Sequence, residues 1–305
     1  MFSIPHRRRT WYRLLICLFL LSGLLAMSAG MLPVWAQQPD SVEQMYRVET
    51  ADGQVVIGTL VSENEQEIVL DTRELGQVTI ERNNIQSMEK VDPSRIREGQ
   101  YWFRNPQSTR YLFAPNAIGI PKGEGYYQNT WILLNNVNYG VTDNLSLGAG
   151  TVPVFLFGAN ALPFWVLPKV SVSPTDRFHL AGGAVLGGVL AEEENVGVGV
   201  FYGSATVGSR DHNATVSLGY GYSNGEVSSS PVINVSGMTR IGRTFYLISE
   251  NYVLPVEGGG TVVSAGLRWA PRNFAVDFAL FRPVGEDTDG FIAAPWLGVT
   301  IPFGQ

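Results

Sequence analysis

The sequence predicts an all-β protein: an up-and-down antiparallel transmembrane β-barrel of about twelve strands preceded by a small five-stranded β-domain. Three observations carry that expectation. Residues alternate in character with period two along the C-terminal two thirds of the chain. The connections between these runs alternate between tight turns and looser loops. One face of each run carries the bulky apolar residues, while the other is small, polar or charged. A soluble sheet would bury its apolar face against a second layer. A membrane barrel turns that face to lipid and keeps the polar face for its lumen.

The chain opens with Arg7, Arg8, Arg9 and Arg13, followed by an apolar stretch and Val34-Trp35-Ala36 ahead of Gln37. This is the pattern of a secretory signal over residues 1–36. The competing reading is an uncleaved membrane anchor. Arg8-Arg9 hints at a twin-arginine signal, but the residues after it fit poorly. Cys17 is the only cysteine and lies in the apolar stretch; Leu14-Leu15-Ile16 lacks the small residue of a lipoprotein signal. Cleavage leaves an exported chain with no disulfide framework. Removing the four arginines leaves 17 basic against 27 acidic residues, a net charge of −10. That balance argues against nucleic acid as a partner. No apolar run after the signal reaches the ~20 residues of a membrane helix, which excludes a helical bundle.

Residues 37–92 form the small domain. Tyr46 and Val48 alternate with polar neighbours, and Asp52-Gly53 signals a tight hairpin. Val55, Ile57 and Thr59, then Ile68 and Leu70, Val78 and Ile80, and Ile85 and Met88 mark further short strands. The stretch from Asp52-Gly53 to Gly58-Thr59-Leu60 resembles the first half of the Sm-like, SH3-type barrel. That family binds RNA through an acidic-then-amide pair, and Val61-Ser62-Glu63-Asn64-Glu65 does not align with it. Ten acidic residues against four basic between Tyr46 and Asp92 also oppose RNA binding. Residues 46–91 instead read as a periplasmic surface for contact with a protein partner.

Residues 93–108 read as a linker. Pro93 ends the small domain, and Ser94 to Gln100 has room for one or two helical turns. Tyr101-Trp102-Phe103 reads as a packing plug between domains rather than a ligand site. The barrel is then expected over 109–305, with a first strand around Arg110 to Ala117 despite Pro115. Tight turns fall at 142–144, 174–177, 210–213, 241–243 and 271–273, where Asp, Asn, Pro and Gly suit the dihedral angles. Looser loops fall at 158–163, 191–195, 223–228, 256–260 and 285–290. A Greek-key sandwich would not sort its loops this way.

Leu145, Leu147 and Ala149 are assigned to lipid, as are Val196, Val198 and Val200, then Val216 and Leu218, then Phe274, Val276, Phe278 and Leu280. Tyr139, Phe178, Phe245, Trp269, Phe274 and Phe303 cluster beside the tight turns as an interfacial girdle. Phe303 resembles the C-terminal assembly signal of outer-membrane proteins, although Gly304 and Gln305 follow it. The alternative is a soluble barrel with an apolar ligand inside; there, charge would lie outside rather than share the glycine and serine face.

That inner face carries Lys169, Glu250, Arg268 and Asp277 as candidate lumen or pore-lining residues. Arg268 and Asp277 lie at equal distance from the turn at Pro271 and are expected to be neighbours. The four read either as a salt-bridged lumen network or as a selectivity device. His179 is expected in the lumen near a tight turn. The three histidines have no metal-ligand spacing, and no catalytic set, metal site or cofactor is expected.

Lys122-Gly123-Glu124-Gly125-Tyr126-Tyr127-Gln128-Asn129, with Asn105-Pro106 and Tyr111-Leu112-Phe113-Ala114-Pro115, resembles a family of outer-membrane proteins from Bacteroidetes-like bacteria. The likeness runs from Tyr101 to Phe157. It implies a short N-terminal β-module, a barrel in the outer-membrane lipid and no defined activity. The string itself reads either as a glycine-containing outer loop that opens the second strand or, through Lys122 and Glu124, as an outer-loop rim site for a solute or partner. The leading functional expectation is a narrow passive pore in the outer membrane of a Gram-negative cell, with the small domain in the periplasm. A closed structural or interaction protein of the envelope competes with it, and an outer-membrane enzyme comes third. Phe201, Trp296 and the 101–103 aromatics could each occlude a pore.

Overall fold

Tight turns built from Asp, Asn and Gly set both parts of the fold. The computed structural model describes residues 44–156, 161–191, 196–255, 260–285 and 293–304. The expected signal at 1–36 lies outside the described residues, as do the loop tips at 157–160, 192–195, 256–259 and 286–292. The chain divides into two compact units at Pro93.

In the first unit, β1 (Met45–Thr50) and β2 (Val55–Glu63) form a hairpin around Gly53, whose φ of 82° suits glycine. The Thr50 hydroxyl bonds the Asp52 carboxylate and fixes the turn. β3 (Glu67–Thr72), β4 (Gly76–Glu81) and β5 (Ile85–Lys90) complete an antiparallel sheet of order β4-β3-β2-β1-β5. Val48, Ile68, Leu70 and Ile80 form its buried core, as period-two alternation requires.

The second unit is a closed antiparallel barrel of twelve strands. They are β6 (Gly125–Thr130), β7 (Leu134–Gly140), β8 (Leu145–Thr151), β9 (Ala161–Val166 and Lys169–Thr175), β10 (Phe178–Ala191) and β11 (Val196–Gly208). Then follow β12 (His212–Ser223), β13 (Val232–Arg240), β14 (Phe245–Leu254), β15 (Gly260–Trp269), β16 (Ala275–Val284) and β17 (Ala294–Phe303). Pro168 has no N–H to donate, and it divides β9 without moving its register on β10. β17 pairs with β6, from Gly298↔Thr130 to Phe303↔Gly125, which closes the cylinder.

The number of strands matches the sequence expectation, but two of its parts do not. Arg110 to Ala117 is not a wall strand: its one bridge, Arg110↔Pro115, is internal, it pairs with no strand of the sheet among the described residues, and it lies inside the barrel. Pro115 and the polar residues around it cannot sustain a strand with one lipid face. Conversely, the expected second strand is two strands, β6 and β7, folded at Trp131-Ile132-Leu133. The two differences cancel in the total.

Leu147, Val216, Leu218, Phe278, Leu280, Leu297 and Ile301 are exposed on the outer face, while Ser146, Thr215, Ser217, Asp277 and Thr300 are buried within. Tyr139, Phe178, Phe245, Trp269 and Phe303 ring the tight-turn end. Tyr139 stacks on Phe303 at 6.5 Å, and Trp269 meets Phe274 edge-on at 5.3 Å. One facing assignment is reversed. The unbroken β10–β11 and β11–β12 registers place Val198 and Val200 on the same face as buried Ser204 and Thr206, toward the lumen. Phe201 faces out beside Tyr222 and does not obstruct the lumen. A run of valines and glycines has no size contrast that sequence could read as a facing.

Candidate functional site

The lumen holds the segment from Asn105 to Gly119. Its shape comes from local hydrogen bonds of the kind Asn and Pro favour. The Asn105 side chain accepts from the Gln107 N–H at 3.0 Å, and Asn116 Nδ2 donates to Ser108 O at 2.9 Å. Tyr111 N–H donates to Ala114 O at 3.0 Å. The segment is a folded plug, and Gln107, Tyr111, Leu112, Asn116 and Ala117 have no exposed surface.

Three of the four charged lumen candidates hold this plug, and the fourth holds one of the three. Glu250 Oε2 accepts the backbone N–H groups of Leu112, Phe113 and Ala114 at 2.9, 3.0 and 3.0 Å. The Tyr252 hydroxyl donates to its other oxygen at 2.6 Å. Arg268 is gripped by Asp277 through two bonds of 2.6 and 2.9 Å. Its guanidinium also donates to Gln107 O at 2.6 Å, Gln107 Oε1 at 2.9 Å and Tyr111 O at 2.7 Å. Lys169 Nζ donates to Ile118 O at 2.8 Å and Asn116 O at 3.3 Å. A planar guanidinium serves as a hub because its donors diverge in one plane: two meet the carboxylate and the rest reach the plug.

Neutral contacts complete the seal. The Tyr111 hydroxyl bonds Asn213 at 2.6 Å and Thr215 at 2.7 Å, and Thr206 Oγ1 accepts from Ala117 N–H at 2.8 Å. Tyr111 and Leu112 pack with Met238, Tyr246, Ile248, Ala279 and Trp296 in one apolar cluster. The enclosed cavity between plug and wall, at Arg110, Tyr126, Lys169 and Tyr202, is about 20 Å³. That is room for about one water.

Toward the loop end the interior changes. Val185, Gly187, Val198, Val200 and Gly221 line a cleft of about 900 Å³ with Asn224, Glu226 and Ser228. The inward hydroxyls of Ser204 and Ser217 meet no protein partner among the described residues.

Lys122 and Glu124 are not at the looser-loop end of the barrel, where the sequence reading put them. The chain leaves the lumen at the tight-turn end, so the string from Lys122 to Asn129 leads into β6 from that side. Glu124 pairs with Arg104 through bonds of 3.0 and 3.2 Å, and the Lys122 N–H donates to Asp143 in the β7–β8 turn. His179 is buried near the tight turns, with Nδ1 2.7 Å from Ser173 Oγ and Nε2 3.3 Å from Gly208 O. Among the aromatics at 101–103, Trp102 lies between the guanidinium groups of Arg97 and Arg240, at 4.4 and 4.8 Å. The plug residues Gln107, Tyr111 and Asn116 were not legible as site residues. Their sequence signals are Pro115 within an expected strand and the place of Tyr111 in the string Tyr111-Leu112-Phe113-Ala114-Pro115, neither of which points to a plug.

A closed antiparallel cylinder with an apolar outer belt, a girdle of aromatics and Lys169, Glu250, Arg268 and Asp277 buried inside defines a β-barrel of the membrane type; Arg282, near the loop end of β16, is exposed on the outer face. No protein-family model matches the chain, and no curated protein matches it. Among solved structures it is similar to the KdgM porin, at 9% identity and a TM-score of 0.42, over 58% of this chain and 98% of that one. It is also similar to the NanC porin, at 8% identity and a TM-score of 0.36, over 59% and 97%. A loop L8 deletion mutant of OmpT, an outer membrane protein of Vibrio cholerae, matches at 12% identity and a TM-score of 0.35, over 85% and 96%. The likeness is one of architecture.

Proposed function

We propose that the protein is a solute conduit of the Gram-negative outer membrane, closed at rest by its own 105–119 segment. The observation that carries this reading is how the plug is attached. It joins the wall through side chains rather than through sheet hydrogen bonds, so it can leave without opening the cylinder. Above it lies a cleft wide enough for a small solute. The tight-turn end, where β6 begins and β17 ends, faces the periplasm in this reading. The SH3-like module at 46–91 then offers a surface to a periplasmic protein. Lys169, Glu250 and Arg268 are latch residues, and Asp277 balances the charge of Arg268 and orients its guanidinium.

A second reading is favoured by the apolar cluster around Tyr111 and Leu112, which makes the lower interior resemble a protein core. In that case the barrel is a closed structural element of the envelope. Planar-bilayer recordings separate the two. Glu250→Ala removes the acceptor of three plug N–H groups and is expected to raise open probability well above wild type. Silence from both proteins, with the barrel folded, favours the structural element.

A further inference from the structure

The wall of this barrel is not of even height. β6, β7 and β8 are 6, 7 and 7 residues long, whereas β10 and β11 are 14 and 13. Six residues, each rising about 3.3 Å and tilted about 40°, climb about 15 Å. The apolar band of a membrane barrel is about 25 Å tall. On one side of this low stretch, β17 pairs with β16 up to Phe281↔Ala294, beyond its last β6 partner at Gly298. On the other side, β9 pairs with β10 up to Ala161↔Ala191, beyond its last β8 partner at Phe164. Among the described residues, strand pairing stops lower between these two edges and leaves a notch in the paired wall, with the apolar 3-10 turn Pro153–Leu156 above β8 on its β9 side.

The floor of the notch is chemically unusual for a hairpin end. Trp131-Ile132-Leu133 is wholly apolar, and Ile132 is 79% exposed. Trp131 and Ile132 hold left-handed backbone, with φ of 51° and 67°. Tips in water give such positions to Asn or Gly, and a β-branched residue there is a rare strain. The backbone oxygens around the notch are also capped. Asn129 Nδ2 donates to Ile132 O at 3.0 Å and Asn135 Nδ2 to Leu133 O at 2.8 Å. On the β17 edge, Trp131 donates its backbone N–H to Leu297 O at 2.9 Å and its indole N–H to Pro295 O at 2.8 Å. On the β9 edge, Thr151 Oγ1 donates to Pro163 O at 2.7 Å. Capped carbonyls and apolar side chains are what a tip immersed in hydrocarbon needs.

The two strands flanking the notch also turn aromatics inward. Trp296 on β17 lies 5.8 Å from Phe281 and 5.0 Å from Trp131. Trp165 on β9 covers Gly150, where any Cβ would collide with the indole. We propose that this notch is a lateral opening that passes uncharged apolar solutes between the upper lumen and the outer leaflet of the bilayer. The inference rests on the outer-membrane reading above and adds a solute class and a route to it. A charged solute would meet hydrocarbon at the sill; an aromatic or aliphatic one would exchange one apolar surface for another.

The test uses the mature chain, in which Ile132→Cys supplies the sole cysteine. A spin label there, in a reconstituted bilayer, should collide with oxygen far more often than with an aqueous nickel chelate. Dominant collision with nickel overturns the proposal, because the tip is then in water. The second readout is uptake of N-phenyl-1-naphthylamine by cells producing the protein. An insertion that lengthens both arms of the β6–β7 hairpin should reduce uptake several-fold while leaving the Glu250→Ala ion current unchanged. Equal uptake with the lengthened, folded hairpin overturns the lateral route. Loss of current alone, with uptake still dependent on the hairpin, removes the axial conduit and supports the opening. If the lengthened chain does not fold, the spin-label depth still decides.

Discussion

Asp277→Asn is the sharpest probe of the latch, because it removes one charge and almost no volume. Arg268 is wholly buried and Asp277 is its ion-pair partner, bound through two oxygens. Removing one partner of a buried pair typically costs ~3–5 kcal/mol. Two plug carbonyls and the Gln107 side-chain oxygen still face the guanidinium. These dipoles place the expected loss at the lower end, about 3 kcal/mol. Arg268→Met leaves Asp277 as the stranded charge and also frees the plug carbonyls, so its loss should be at least as large. The double variant, Arg268→Met with Asp277→Leu, should recover much of the wall stability but not the hold on the plug. Urea unfolding in lipid vesicles, followed by tryptophan fluorescence, gives the wall stability. Hydrogen exchange at Gln107 and Tyr111 gives the state of the plug. If Asp277→Asn lies within about 0.5 kcal/mol of wild type, in the range of an ordinary surface substitution, Arg268 is solvated and the sealed lumen is wrong.

Further outcomes follow from the same geometry. Glu250→Gln keeps the shape of the side chain but weakens a charge-assisted acceptor of three N–H groups; amide exchange at Leu112, Phe113 and Ala114 should rise, with a stability loss of ~1–3 kcal/mol. Leu218→Arg and Phe201→Arg should each cost ~2–4 kcal/mol in vesicle unfolding, since both face lipid; a markedly smaller loss at Phe201 would restore the opposite facing of β11. In the N-terminal sheet, the Thr50 hydroxyl holds the Asp52 carboxyl below its ordinary value of 3.8. A depressed carboxyl stabilises the hairpin above that value and loses its effect as pH falls through the folded midpoint. Thr50→Val should therefore move the Asp52 titration, read by NMR, up toward 3.8. Mass spectrometry of the outer-membrane fraction is expected to find Gln37 as the mature N-terminus.

Sequence alone determined whatever repeats along the chain. Period-two alternation assigned Leu218 and Phe278 to the outside and Ser217 and Asp277 to the inside, because side chains on a strand have only two directions. Turn residues located five of the tight connections, and the matching positions of Arg268 and Asp277 on either side of the 271–273 turn made them neighbours. Tertiary structure decided what has no period. The plug is one pass of irregular chain whose hydrogen-bond partners are wall residues scattered from Gln128 to Arg268. Nothing local to Asn105 or Tyr111 encodes a distance to Glu250. Lys122 and Glu124 changed ends for the same reason: their position depends on whether the preceding segment crosses the wall or folds inside it. The facing of Val198 and Val200 had to come from pairing with Ser223 and Gly221, since a one-residue shift exchanges the two faces of a strand and neither sequence face was distinctive. The left-handed Trp131 and Ile132 show the limit most clearly. Local preference there favours a continuous strand, and the barrel imposes a turn.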